Sequence, residues 1–141
     1  MSVIERMKRS YNCLMEFRCS SSEEHKRLID IFLPMICQDN KQYLKISVGK
    51  NVAESKFDSV LSMVTNHFGI GISCYMDEPQ LIFNNNADGC HCAITSINLT
   101  RIKNIHIKEE KDGSVNFYRY LINFNYNDKI DYQIHIAIKD N

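Results

Sequence analysis

The chain has 141 residues, of which 44% are hydrophobic and 24% charged, and its formal net charge is zero, so no global field attracts it to nucleic acid or an anionic membrane. No segment approaches the roughly 18 consecutive apolar residues of a membrane span, and charged residues occupy the N-terminus, where a signal peptide needs an apolar run. These properties predict a cytoplasmic single domain over residues 1–141, with no nucleic-acid or membrane partner.

The first predicted elements are a strand and a helix. Residues 12–19 fit a strand or the end of a helix, and the serine run that follows favours the strand. Ser21 and Glu24 then have the spacing of a capping box, which predicts a helix start. Pro34 should end this helix near Phe32, because proline lacks the N–H group that a helix interior needs.

The middle of the chain predicts a strand and a second helix. Residues 43–48 alternate between apolar and polar side chains, and Gly49 should close this strand. The helix is predicted by five apolar residues at helical spacing, which are Phe57, Val60, Leu61, Val64 and Phe68. Gly69 is well placed as the residue that ends this helix.

Strands dominate the remainder of the chain. Residues 70–75 and 80–83 predict a strand pair with a turn at 77–79. Residues 84–89 have the composition of a loop, and an interrupted strand follows over 92–108.

The last third alternates with period two and predicts a three-stranded antiparallel meander at about 102–110, 114–126 and 130–139. The order of elements therefore predicts an α+β fold, with two helices packed on one face of a largely antiparallel β-sheet.

The two turns of the meander predict its register. A two-residue loop at Asp112-Gly113 would pair Tyr120 with Ile105, and a turn at 127–129 would pair Tyr120 with Ile136. Both pairings place apolar side chains in one row across three strands. A slip of one residue would send half of them to the wrong face.

The opposite face of the meander mixes apolar, aromatic and polar side chains, which is the composition of a protein interface. We take it as a candidate partner-binding surface, with Arg119 as its anchor. The alternative is a solvated sheet face that another segment partly covers. The candidate surface consists of Lys108, Phe117, Arg119, Leu121, Gln133 and His135. Acidic residues at two turns are candidates for docking a basic partner, and these are Asp77, Glu78, Glu109 and Glu110.

No catalytic motif accompanies this surface. The leading hypothesis is a small protein-binding module, an immunity-type inhibitor that neutralises a toxin or nuclease by covering its active site. The alternative is an enzyme or ligand-binding protein in which His106, His135 and Arg119 act as acid, base and anion clamp. The two histidines would lie about 10 Å apart, two strands across the sheet. A third hypothesis is a homodimer with the mixed face as its interface.

The sequence also contains six cysteines. In a reducing cytosol they are expected to be free thiols. Cys90-His91-Cys92 forms a single Cys-x-Cys, without the second ligand pair of a structural zinc site, and as a nucleophilic pair it needs a third group to orient it. We therefore predict neither a metal nor a cofactor. The cysteines are Cys13, Cys19, Cys37, Cys74, Cys90 and Cys92.

Overall fold

The computed structural model describes residues 2–36, 41–53, 56–86, 92–112, 117–126 and 129–139. These residues form two α-helices and eight β-strands, and the strands are antiparallel in two sheets. In chain order the elements are α1 (Val3–Ser20), α2 (Glu23–Phe32), β1 (Lys41–Ala53), β2 (Lys56–Thr65), β3 (Phe68–Tyr75), β4 (Glu78–Asn85), β5 (Cys92–Asn98), β6 (Lys103–Asp112), β7 (Phe117–Asn125) and β8 (Asp131–Lys139). The predicted α+β class and C-terminal meander are confirmed.

The chain divides into two compact units, each built from two separate stretches of sequence. The helical unit comprises Met1–Gln38 and Gly69–Thr100, with both helices and a three-stranded sheet in the order β3-β4-β5. The sheet unit comprises Asp39–Phe68 and Arg101–Asn141, with a five-stranded sheet in the order β2-β1-β8-β7-β6. Because β1 pairs with β8, the meander gains two further strands from a distant part of the sequence.

The first helix covers the segment at 12–19 for which the sequence favoured a strand, so that prediction is wrong. Helix α1 begins after Ser2, whose Oγ accepts a hydrogen bond from the backbone N–H of Glu5 at 3.1 Å. Apolar residues at 13, 15, 17 and 19 give the segment a partial period-two alternation, but this pattern does not determine its structure. Instead, Leu14, which is buried, and half-buried Phe17 are three residues apart and lie on one side of the helix.

The second helix lies close to its predicted position. Its N-terminal cap is Ser22, one residue beyond the predicted Ser21, and the Ser22 Oγ accepts a hydrogen bond from the backbone N–H of His25. The helix ends at Phe32, as Pro34 predicts, and the chain continues as a short 3-10 helix.

The two helices and the three-stranded sheet share one apolar core. Arg18 of α1 holds Asp30 of α2 through two bonds of 2.8 Å, and this contact lowers the pKa of the Asp30 carboxyl. Helix α1 packs against β4. From α2, Phe32 meets Phe83 of β4 edge to face, with ring centroids 5.6 Å apart, an arrangement that aromatic pairs prefer. Both helices therefore contact the same strand.

A disulfide joins Cys13 of α1 to Cys74 of β3. The expectation that all six cysteines are free thiols is therefore wrong for these two. Among the described residues, Cys19 is a free and exposed thiol. The sequence could not reveal the pairing, because it depends on how α1 lies against the sheet. Cys37 and Cys90, together with the side chain of Cys92, lie outside the described part of the structure.

The predicted strand pair near residues 70–83 is confirmed as β3 and β4, and its turn lies one residue earlier than expected. Met76 and Asp77 form the turn with φ angles of 51° and 63°. Two successive left-handed residues are typical of the tight hairpin turn that matches strand twist. Glu78 and Pro79 consequently belong to β4 rather than to the turn.

The predicted helix at 57–68 is a strand, β2, at the edge of the five-stranded sheet. Helical spacing predicts a helix only when one side of it is buried, and β2 is exposed along most of its length on both faces. Gly69, the expected helix end, lies in β3. Gly49, the expected strand end, lies inside β1 at an irregularity, where a Cβ would collide with the backbone carbonyl of Asp58 in β2.

One predicted register is right and the other is wrong. Strands β7 and β8 pair as predicted, with Tyr120 opposite Ile136. Strands β6 and β7 pair Tyr120 with Glu109 rather than with Ile105. The described pairing extends to Asp112 opposite Phe117, and the predicted turn at Asp112-Gly113 falls in part on residues 113–116, which lie outside the described structure. The displacement is an even number of residues, so each side chain keeps its predicted face.

No helix in the described part of the chain is long and apolar enough to cross a membrane.

Candidate partner-binding face

The five-stranded sheet has two faces of different character. One, the apolar face, includes the buried side chains Leu44, Ile46, Ile122, Ile134 and Ile136. We call the other the polar face, because the residues that alternate with these are mostly charged or amide side chains. Across the sheet they include Tyr43, Lys45, Ser47, His106, Lys108, Glu110, Arg119, Leu121, Asn123, Gln133 and His135.

A groove with a volume of about 440 Å³ lies in the sheet unit. All five strands contribute to its lining, including both edge strands, β2 and β6. Because the two edges line one cavity, the sheet must curve around it. The lining residues are Asn51, Lys56, Phe57, His106, Ile107, Lys108, Leu121, Asn123 and Gln133.

The structure brings most of the predicted surface together. Lys108, Leu121 and Gln133 line the groove. His135 pairs with Leu121, and Arg119 lies on the same face beside Glu110. Phe117 is the first residue of β7, and its side chain lies outside the described structure.

The four predicted acidic residues do not form one surface on the sheet. Glu110 lies on the polar face, whereas Glu109 points to the opposite side of β6. Asp77 and Glu78 belong to the hairpin of the helical unit, where Glu78 accepts a hydrogen bond from the Asn98 side chain at 2.7 Å. The polar face is therefore not an acidic one.

Among the described side chains near His135 on the polar face, the basic groups of Lys45 and Arg119 outnumber the acidic group of Glu110. These charges change the pKa of the His135 imidazole. Partial burial lowers the pKa of the His135 imidazole, and the nearby charges of Arg119 and Lys45 lower it further, while Glu110 acts in the opposite direction. The lowered pKa favours the neutral form of the imidazole. Its ring meets Tyr43 edge to face at 5.5 Å. A positive potential at this point favours an anionic partner group.

A buried carboxylate ties together the strands beside the groove. Asp131 is 4% exposed. One carboxylate oxygen accepts a hydrogen bond from the backbone N–H of Asn51 at 2.8 Å, and the other accepts one from the Asn125 amide at 2.6 Å. The Asn125 oxygen in turn accepts from the Asn104 side chain at 2.7 Å. This network spans β1, β8, β7 and β6, and it holds the groove residue Asn51 in place.

Asn123 is the groove residue with the least satisfied polar group. Its Oδ1 is buried and has no hydrogen-bond partner, and it is the one side-chain atom of this kind among the described residues. A buried amide oxygen without a donor costs free energy. Sequence reasoning missed Asn51, Lys56, Phe57 and Asn123, and three of these are brought to the groove by β1 and β2. The alternation of β7 could have indicated Asn123.

The histidines proposed for catalysis occupy different positions relative to the groove. His106 lines the groove opposite Asn123, whereas His135 lies in the neighbouring row with Lys108 and Leu121. Of the residues that the structure describes, no three His, Cys, Asp or Glu side chains are grouped as metal ligands. His91 lies outside those residues.

Fold and site together define a curved antiparallel sheet with a groove on a mixed, mainly basic face. Comparisons of the chain with protein-family models, curated proteins and solved structures found no match.

Proposed function

We propose that the protein binds another protein through the polar face, and that the groove receives side chains of the partner. The single observation that carries this proposal is the groove itself, which all five strands of the sheet line. Apolar Phe57 and Leu121 provide buried contact area there, and the lysine and amide side chains around them provide specificity, an arrangement common in protein interfaces.

The charges of the polar face favour an acidic docking segment on the partner. Among the side chains that the structure describes, Lys45, Lys108 and Arg119 lie there with buried Asp131 and exposed Glu110. Glu110 is 3.5 Å from the Lys108 ammonium group. That ion pair is exposed and contributes little stability, so a partner carboxylate can compete for Lys108. Charge complementarity of this kind raises association rates and excludes partners of the same sign.

A more specific form of this proposal is that the partner is a toxin or nuclease and that binding inhibits it. An inhibitor of this size acts by covering the active site of its target, with an interface of roughly 800 Å² per partner. The basic polar face would then meet acidic groups around that active site. The expected signature is a one-to-one complex that abolishes the target's activity, with the product of a neighbouring gene as the first target to test.

Site-specific photo-crosslinking in the native host tests the docking surface. We would place a photoreactive amino acid at position 108 or 121, and a matched control at position 111. Lys108 and Lys111 are both exposed on β6 but lie on opposite faces of the sheet. We expect positions 108 and 121 to capture the same protein and position 111 to capture none of it. Equal capture at all three positions, or none at any, would overturn the proposal.

A small-ligand site is the second candidate, because a cavity of about 440 Å³ falls within the range of ligand pockets. Among His106, Arg119 and His135, only His106 lines it. If the groove serves an enzyme, His106→Ala should abolish turnover of its substrate while leaving capture of a partner at position 121 unchanged. If His106→Ala instead leaves turnover unchanged and abolishes capture of the partner at position 121, the result favours protein binding.

A further inference from the structure

The two edges of the five-stranded sheet differ sharply in character. The edge strand β6 ends in five consecutive charged residues, Lys108–Asp112, and charged side chains are one of the means by which proteins prevent a sheet edge from pairing. The opposite edge, β2, has no charged residue from Ser59 to Thr65. Among the described strands, β2 pairs with β1 alone, so it is an edge strand of the sheet.

Strand β2 also exposes large apolar side chains on both faces. Val60 is 85% exposed, Leu61 58% and Val64 57%. Met63 is 38% exposed. A long, exposed and apolar edge strand is a template for pairing with another strand. Burying these side chains would remove apolar surface from water, which favours association.

We propose that a second copy of this chain pairs with β2 edge to edge, so that two five-stranded sheets join into one across a two-fold axis. A two-fold axis makes the same surface serve on both copies, and it is the commonest symmetry of protein oligomers. The proposed pairing uses the backbone edge of β2 between Ser59 and Thr65, and the β2 residues that line the groove, Lys56 and Phe57, lie before this segment.

The sequence of β2 is complementary to itself in the antiparallel direction. An axis at Ser62 places Leu61 of one copy beside Met63 of the other, within the part of β2 from Leu61 to Thr65 that pairs with β1 in regular register. Leu61 and Met63 thereby each gain an apolar neighbour, and no like charges meet between Ser59 and Thr65. Cross-strand apolar pairs of this kind stabilise antiparallel sheets. Self-complementarity is the reason to assign a second copy, rather than an unrelated strand, to this edge.

Sedimentation analysis over a wide range of protein concentration tests the dimer. We expect the wild-type chain to reach twice its monomer mass, and Val60→Lys and Val64→Lys to raise the dissociation constant by roughly tenfold or more, because a charge at the centre of the edge opposes pairing. Both side chains are largely exposed, so neither substitution removes a buried contact. Circular dichroism would verify that the variants remain folded.

Two matched variants separate this interface from other surfaces. Val3→Lys changes a similarly exposed apolar residue, 64% exposed, on α1, and Arg119→Glu changes the polar face. Both should dimerise like the wild type, and the β2 amides should exchange hydrogen more slowly as concentration rises. A wild-type chain that stays monomeric, folded lysine variants that still dimerise, or a dimer lost in either control would overturn the proposal.

Discussion

At the scale of single residues, Asn123 combines a place in the groove with a cost to stability. Its Oδ1 is buried without a partner, so a side chain of similar size and no polar atoms should fit the site better. We expect Asn123→Leu to raise the free energy of unfolding by about 1 kcal/mol while weakening partner binding. Urea unfolding measures the first effect.

Asn98→Leu is the matched contrast to this variant. Asn98 is also buried, but its side chain donates to Glu78 and accepts from both the backbone N–H and the hydroxyl of Thr100. Its replacement should therefore destabilise the protein. If Asn98→Leu and Asn123→Leu lower the free energy of unfolding equally, the Asn123 Oδ1 has a hydrogen-bond partner in solution.

Asp131 should be a main determinant of the stability of the sheet unit. Replacement by alanine removes the acceptor for both the Asn51 N–H group and the Asn125 amide. We expect Asp131→Ala to cost roughly 3 kcal/mol, because donors that lose a charged acceptor in a buried site are not rehydrated. Chemical unfolding of the variant checks this value, and a loss below the error of the measurement would contradict the network.

His135 should make stability depend on pH in a defined direction. Its folded-state pKa lies below the ordinary value of 6.5, so below that pH the unfolded chain binds more protons than the folded one. Stability should therefore fall as pH decreases from 6.5 toward the lowered pKa, and stay level above that window. Titration of the imidazole by NMR gives the pKa directly. His135→Phe should flatten this part of the stability profile, and an unshifted pKa would contradict the account.

At the scale of elements, the disulfide should contribute strongly to the stability of the helical unit. Cys13 and Cys74 are 61 residues apart in sequence, and a cross-link that closes a loop of this length stabilises by about 4 kcal/mol in the chain-entropy model. We expect Cys13→Ser to lower the free energy of unfolding by an amount of this order. Cys19→Ser is the control, since Cys19 is free and exposed, and it should have little effect.

The elements also show what sequence patterns can and cannot predict. The pairing of β7 with β8 followed from alternation and a short turn, both of which are local. The apolar spacing of β2 indicates a helix, and the indication is wrong because the strand is exposed along most of its length on both faces. Helix α1 was missed because several apolar residues in its first half, including Ile4 and Met7, are exposed and give no clear buried stripe.

Part of the candidate site could be predicted from the alternation of residues along the strands. Lys108, Leu121 and Gln133 were assigned to one face by alternation, and an even displacement of the β6–β7 register kept them there. The groove itself was not predictable. It depends on Asn51, Lys56 and Phe57, which reach the meander only through the long-range pairing of β1 with β8.

At the scale of the whole molecule, the two units differ in the features that they carry. The helical unit has a disulfide, an interhelical ion pair and an aromatic core contact, all of which stabilise a fold. The sheet unit has the groove, the basic side chains near His135 and the edge strand β2. The account therefore places recognition of a partner, and self-association, on two different surfaces of the sheet unit.

The affinity of the captured partner for charge-reversed variants tests this account most directly. Isothermal titration calorimetry would compare the wild type with Lys108→Glu on the polar face and Lys111→Glu on the opposite face of the same strand. We predict that Lys108→Glu weakens binding by roughly tenfold or more and reduces its dependence on salt, because a cation facing an acidic segment is lost. Lys111→Glu should bind like the wild type. Equal affinities for all three proteins, or a loss confined to Lys111→Glu, would contradict the assignment of the polar face.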